Sequence, residues 1–130
     1  MPFYLDTSAL VKLVVAEPET EALRRWLEVE GRAPVSCDLA RTELLRAVRR
    51  AAPERTLRAR SVLDSVTILA VTTEVFEHAG RLELRTLRTL DAIHLAAALM
   101  LGDELEGMVT YDDRLAGASE ANGVLTVAPG

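Results

Sequence analysis

Five short apolar runs punctuate the chain: Phe3–Asp6, Pro34–Cys37, Val66–Val71, Met108–Thr110 and Leu125–Val127. They are too short for helices and too uniformly apolar for a strand with one wet face, so each reads as a strand covered on both sides. Helical stretches separate them, predicted at Ala9–Val15, Pro18–Glu30, Leu39–Ala52, Pro53–Asp64, Glu74–Leu84, Leu90–Leu101 and Asp113–Ala121. Strands alternating with helices give a parallel sheet packed on both faces, an α/β fold in three layers. Capping residues mark the helix starts: Thr7-Ser8, Asp38, Thr72-Thr73 and Thr89, with Asp113 the better cap of the last helix. Gly31 and Gly102 mark ends, and Pro53 closes one helix and opens the next. In the second helix Ala22, Leu23, Trp26 and Leu27 form the apolar stripe, with Trp26 as a core anchor.

The 130 residues show no linker, repeat or low-complexity tract, so residues 1–130 are expected to form one domain. No apolar run approaches the roughly 20 residues needed to span a bilayer. Met1-Pro2-Phe3-Tyr4-Leu5-Asp6 lacks the basic start of a signal peptide. The single cysteine, Cys37, cannot form an internal disulfide, which suits a reducing cytoplasm. It lies in a buried run, where cysteine behaves as a small hydrophobe.

A net charge of −5 argues weakly against nucleic acid as a partner. The distribution argues otherwise. Arg41, Arg46, Arg49, Arg50, Arg55, Arg58 and Arg60 fall within twenty residues that hold only Glu43 and Glu54 as acids. Such a cluster is either a patch for a polyanion or a solvated helix face, and the sequence does not choose between them.

Four acids are placed where an apolar segment changes character: Asp6, Glu43, Asp91 and Asp112. Asp6 and Asp112 end strands, and in parallel α/β folds ligands bind beyond the C-terminal strand ends. On its helix, Glu43 borders the apolar arc of Ala40, Leu44, Ala47, Val48 and Ala51, so it can aim into a cleft edge. Asp91 opens a helix that is apolar nearly all round; a bland alternative is a favourable charge on the helix dipole. His94, one turn later, reads as a satisfied helix residue rather than a ligand. Asp112 is the better ligand beside its neighbour Asp113, although the two could exchange roles.

Two carboxylates about 4 Å apart repel by roughly 4 kcal/mol at an effective dielectric near 20. Converging acids therefore take up protons or bind a cation. Oxygen-only ligands suit Mg²⁺ or Mn²⁺, and no zinc-type Cys/His spacing exists. Together the four acids suggest one metal-holding pocket and a hydrolytic enzyme. Other acidic-site folds fit less well. A haloacid-dehalogenase-type phosphatase needs a second Asp at position 8, which is Ser8, and a late lysine, whereas Lys12 is the only lysine. A receiver domain fails on the same lysine, and a phosphate-cradling Gly-rich loop is missing.

The segments Tyr4-Leu5-Asp6-Thr7-Ser8-Ala9-Leu10, Ala40-Arg41-Thr42-Glu43-Leu44, Leu90-Asp91-Ala92-Ile93-His94-Leu95-Ala96-Ala97-Ala98 and Val109-Thr110-Tyr111-Asp112-Asp113-Arg114-Leu115-Ala116 occur in this order. In that order they resemble the PIN-domain ribonucleases, specifically the VapC toxins of type II toxin–antitoxin pairs. The likeness runs from Phe3 to the Val127-Ala128-Pro129 tail. It implies a PIN-like domain with a five-stranded parallel sheet that cleaves RNA with one or two Mg²⁺ or Mn²⁺ ions. It implies Asp6, Glu43, Asp91 and Asp112 as catalytic metal ligands, Asp6 and Asp91 foremost. Ser8 and Thr110 would support the site, with Asp113 beside it, and Arg41, Arg46, Arg49 and Arg50 would meet RNA. A homodimer and a VapB-type antitoxin are the implied partners. The rival is a non-catalytic PIN-like module that binds RNA or protein.

Overall fold

In the computed structural model, which describes residues 1–83 and 86–130, β1 (Pro2–Leu5) is the central strand. Around it lie β2 (Ala33–Cys37), β3 (Thr67–Leu69), β4 (Gly107–Val109) and β5 (Thr126–Val127). The order is β3-β2-β1-β4-β5 and every pairing is parallel. Tyr4 stands in register with Val35 on one side and Met108 on the other, and Leu5 with Val109.

Period-two alternation along the strands divides the interior in two. Tyr4 and Met108 enter one core, with Val75 and Ala79 of α5 (Thr73–Arg81), Ile93 and Leu95–Ala98 of α6 (Thr89–Leu99), and Leu115 of α7 (Asp113–Ala121). Their neighbours Leu5 and Val109 enter the other. There they meet Leu10 of α1 (Thr7–Lys12), Leu23 of α2 (Thr20–Leu27), Leu44 and Val48 of α3 (Leu39–Ala51), and Val62 of α4 (Thr56–Asp64). Four helices therefore cover one face and three the other, the expected three layers with a five-stranded parallel sheet. Trp26 is the expected anchor, its ring edge-on to Phe3 at 4.7 Å.

From β1 the chain moves outward through β2 and β3, then crosses to the other flank for β4 and β5. The segments leaving β1 and β4 thus diverge, and a crevice opens at the carboxyl ends of these two strands. Asp6 follows β1 and Thr110-Tyr111-Asp112 follows β4.

Several boundaries differ from those expected. The helix α2 starts at Thr20 because the Thr20 hydroxyl accepts from the Glu17 amide and donates to the Lys12 carbonyl, holding Pro18 in a turn. Pro53 opens a single 3-10 turn, Pro53–Arg55, before α4, because Ala52 at φ −158 and ψ 73 breaks the helical path ahead of it. β3 is shorter than Val66–Val71. Thr89 lies inside α6, whose N-cap position is Arg88. The expected end of the fifth helix, Leu84, lies outside the described residues.

Asp38 sits at the cap position of α3, but its carboxylate makes no capping bond there. It accepts instead from Arg41 Nε at 3.3 Å and from the Val71 amide at 3.3 Å, tying α3 to the end of β3. Among the described residues, no helix is long and apolar enough to cross a membrane.

Candidate active site

Asp6 belongs to the first turn beyond β1. Its carboxylate caps α1 by accepting from the Ala9 amide at 3.2 Å, a role the sequence suggested for Thr7 and Ser8. Those hydroxyls do something else. Ser8 Oγ donates to Asp6 Oδ1 at 2.7 Å, and Thr110 Oγ1 donates to Asp6 Oδ2 at 2.8 Å. The web continues: the Tyr111 amide donates to Ser8 Oγ at 2.9 Å, and the Asp112 amide to Thr110 Oγ1 at 3.1 Å. β1 and β4 are therefore joined beyond their last ladder bonds by side chains converging on one carboxylate. Asp6 is 4% exposed. Burial pushes its pKa up from the ordinary aspartate value, partly opposed by the Ser8 and Thr110 hydroxyls. A carboxylate so placed is held in one orientation and lacks water to disperse its charge.

Glu43 reaches in from α3, half-buried as its helix phase indicated. Its Oε1 accepts from Thr7 Oγ1 at 2.7 Å and from His94 Nε2 at 2.6 Å. Burial alone would raise its pKa; the His94 bond and charge, with Thr7, outweigh burial and lower it. His94 is 2% exposed, and its Nδ1 meets the Tyr4 hydroxyl at 2.7 Å and Cys37 Sγ at 3.8 Å. Burial opposes its charge, but the Cys37 thiol and the Glu43 carboxylate beside its ring nitrogens raise its pKa to about 10.

Asp91 opens α6. If the helix dipole governed it, its pKa would fall. Instead it rises, through burial first and then the negative charge of Asp112, with a smaller push from Glu43, while His94 and Arg88 pull the other way. The direction is the one burial and neighbouring negative charge give, opposite to that of a helix-dipole partner. Asp112, in the turn after β4, and Glu43, on α3, are therefore near enough to Asp91 for their charges to act on it.

At the last acid, the cap role expected of Asp113 is corrected. Asp112 is the cap of α7: its Oδ1 accepts from the Arg114 and Leu115 amides at 2.8 and 3.2 Å. Asp113 is the exposed first residue of the helix. Asp112 nevertheless remains the acid that Asp91 feels, and its Oδ2 accepts no hydrogen bond among the described residues. Both strand-end aspartates thus cap a helix.

The four acids approach without closing on a point. Among the described residues, no three carboxylate, imidazole or thiol groups form a ready-made cage for a metal. The donor chemistry fits a hard divalent cation all the same: the candidate donors are carboxylate oxygens, and the negative charges that raise the pKa of Asp91 are ones such a cation would offset. Two contributors escaped the sequence reading. Thr7, expected as a cap, and His94, expected as a satisfied helix residue, both bind Glu43. The available signals were the adjacency of Thr7 to Asp6 and the three-residue step from Asp91 to His94, which puts both on one helix face.

Away from the acids, Arg41, Arg46, Arg49 and Arg50 are exposed along α3. Arg41, Arg46, Arg49 and Arg60 line a groove of about 430 Å³ between α3 and α4. Arg46, Arg49 and Arg50 line a neighbouring hollow of about 340 Å³.

Removing the Thr110 hydroxyl tests the web around Asp6. Thr110→Val would leave Asp6 Oδ2 and the Asp112 amide without partners, and a lost buried hydrogen bond costs about 1–3 kcal/mol. The urea midpoint is expected to fall accordingly; an unchanged midpoint would show that the web carries no stability.

An all-parallel sheet in the order β3-β2-β1-β4-β5, with acids gathered at the carboxyl ends of its middle strands, defines the class. The chain belongs to the PIN-domain family, whose model matches residues 3–121. It is 46% identical over 131 residues to Ribonuclease VapC47 of Mycobacterium tuberculosis, covering 98% of this chain and 96% of that protein. Its fold resembles that of M. tuberculosis VapC20, described as a sarcin-ricin loop cleaving toxin, with a TM-score of 0.77, 18% identity and coverage of 98% and 99%. It also resembles a chain of VapBC2 from Rickettsia felis, solved bound to a DNA fragment from their promoter, with a TM-score of 0.72, 15% identity and full coverage of both chains.

Proposed function

We propose that the chain is a VapC-type toxin, an endoribonuclease that cleaves RNA phosphodiester bonds and inhibits translation. One observation carries the reading: the negative charges of Asp112 and Glu43 reach Asp91 strongly enough to help raise its pKa, while Asp6 and Asp112 follow the carboxyl ends of β1 and β4, where parallel α/β folds bind ligands. The 46% identity to a relative named as a ribonuclease supports it over a binding-only module.

Asp6 and Asp91 are the principal ligands for Mg²⁺ or Mn²⁺ in this proposal, and Glu43 and Asp112 complete the set. The bound cation would neutralise charge on the scissile phosphate and activate a water. The chain's own work is orientation. Ser8 and Thr110 fix both oxygens of Asp6, Thr7 and His94 fix Glu43, and the α7 amides fix Oδ1 of Asp112, so little reorganisation remains when substrate arrives. The Asp112 oxygen that is not capping is suited to orient the attacking water. Asp113, exposed and one residue on, takes no part.

The α3–α4 arginines would supply the sequence-independent hold on the RNA backbone. Arg46→Ala with Arg49→Ala is expected to weaken binding of single-stranded RNA and to flatten its salt dependence by about two counterions. Equal salt slopes in filter binding would make the arginines a solvated face. A VapB-type antitoxin, a homodimeric state and a cytoplasmic location complete the proposal.

The deciding experiment incubates the purified chain with total RNA in Mg²⁺, in Mn²⁺ and in EDTA and maps the ends. Discrete cuts that vanish in EDTA are expected. Cuts that persist in EDTA, or none in any condition, would overturn it.

A further inference from the structure

A glutamate on a helix has three rotatable bonds, and most of its rotamers point to solvent. Glu43 is not left to choose. One oxygen, Oε1, takes two short bonds, from Thr7 Oγ1 and His94 Nε2, while Oε2 accepts none among the described residues. The two donors come from the elements that carry other acids: Thr7 follows Asp6, and His94 lies one turn along α6 from Asp91. His94 is itself fixed from behind. Tyr4, wholly buried in β1, sets its hydroxyl 2.7 Å from Nδ1, and the two rings pack edge-on at 5.7 Å.

The hydrogen-bond logic is directional. If the imidazole is neutral, the Tyr4 hydroxyl donates to Nδ1 and the ring proton must sit on Nε2, facing Glu43. If it is charged, both nitrogens carry protons and Nε2 still donates to Glu43. Cys37 Sγ, at 3.8 Å from Nδ1, offers only a long, weak alternative partner. Either way the buried pair presents a fixed N–H to one oxygen of Glu43 and leaves the other oxygen for the crevice.

We propose that Tyr4 and His94 form a buried positioning relay that sets the carboxylate of Glu43 for divalent-metal binding, Tyr4 orienting the imidazole and the imidazole orienting the acid. Neither touches substrate or metal; both are positioning residues. The inference rests on the metal-binding assignment of the four acids.

The test is Mn²⁺ binding by isothermal titration, without RNA, on the full chain. Partners that orient a metal ligand typically change affinity about 10–100-fold when removed. His94→Ala is expected to weaken Mn²⁺ binding in that range. Tyr4→Phe keeps the ring and its packing, and is expected to weaken it several-fold, about 10-fold at most. Leu95→Ala is the control, a neighbouring buried residue on α6 that does not touch Glu43: it should lower the melting temperature while leaving Mn²⁺ affinity unchanged. In cleavage assays run well below the melting temperature of every variant, excess Mn²⁺ should restore activity to the relay variants, while Leu95→Ala should need no more Mn²⁺ than the wild type. Should His94→Ala not fold, Tyr4→Phe decides alone. Wild-type affinity in Tyr4→Phe and His94→Ala overturns the relay while the metal assignment stands. A wild-type chain that binds no Mn²⁺ sinks the assignment and the relay with it.

Discussion

Asp6→Asn is expected to lose RNA cleavage by at least about 10²-fold, the scale on which one preorganised charge-stabilising group contributes to a rate. The same variant is expected to fold at least as well as the wild type. Asparagine is the shape of aspartate without its charge, and the surrounding hydroxyls can adapt to it. The new amide can donate to Thr110 Oγ1, whose proton can turn toward Ser8 Oγ, 3.4 Å away. What disappears is the burden of a charge at a site only 4% exposed. Removing it is expected to raise stability by about 1 kcal/mol, a few degrees in melting temperature. The sign with pH follows from the raised pKa. The folded state holds the Asp6 proton more tightly than the unfolded chain, so the penalty is full above the folded pKa and absent below the unfolded one. In metal-free buffer the advantage of Asp6→Asn should therefore be largest at neutral pH and fade as pH falls through the carboxylate range. An advantage that grew toward acid would show that burial does not govern Asp6, and full cleavage by a folded variant would remove it from the site.

Much of this arrangement was legible because the strands are short and apolar on both faces. A run such as Met108-Val109 cannot sit in a one-sided sheet, and the structure sends Met108 to one core and Val109 to the other. The strand-end position of Asp6 and Asp112 followed from that alone. Glu43 was legible through helix phase, since its place beside Ala40 and Ala47 allowed it only the rim of the core. Cap assignments were less legible, because Asp, Ser and Thr are nearly interchangeable at helix starts. At Asp6-Thr7-Ser8 and at Asp112-Asp113 the first aspartate takes the cap, which frees the following hydroxyls in the one case and exposes the second acid in the other. Asp38 shows the opposite outcome, a capping residue diverted to the Val71 amide by a neighbouring strand. His94 was the hardest to place. Its bond to Glu43 spans 51 residues and its bond to Tyr4 spans 90, so only the sheet order brings the three together. A partner that depends on tertiary register leaves no local periodicity to detect.

Asp91→Asn separates the two meanings of an acid at a helix start. An aspartate that served the α6 dipole would cost about 0.3–1 kcal/mol to neutralise. Asp91 instead has its pKa raised by burial, Asp112 and Glu43, so its charge is a net burden in the metal-free fold. Asp91→Asn is therefore expected to hold or gain stability at neutral pH, and the gain should shrink toward acid, where the wild-type carboxyl protonates as well. Mn²⁺ reverses the comparison. A cation that binds only the folded chain stabilises it in proportion to the logarithm of its concentration over the dissociation constant, about 2.7 kcal/mol at a hundredfold excess. The wild type should gain several degrees in melting temperature with saturating Mn²⁺, and Asp91→Asn little or none. Cleavage should fall by at least about 10²-fold, as for Asp6→Asn. Combining the two substitutions should add little to either alone, because residues that act as one unit are lost as one unit. Losses that multiplied would place Asp6 and Asp91 in independent roles. A neutral-pH destabilisation with cleavage intact would return Asp91 to the helix dipole and leave the crevice with three acids.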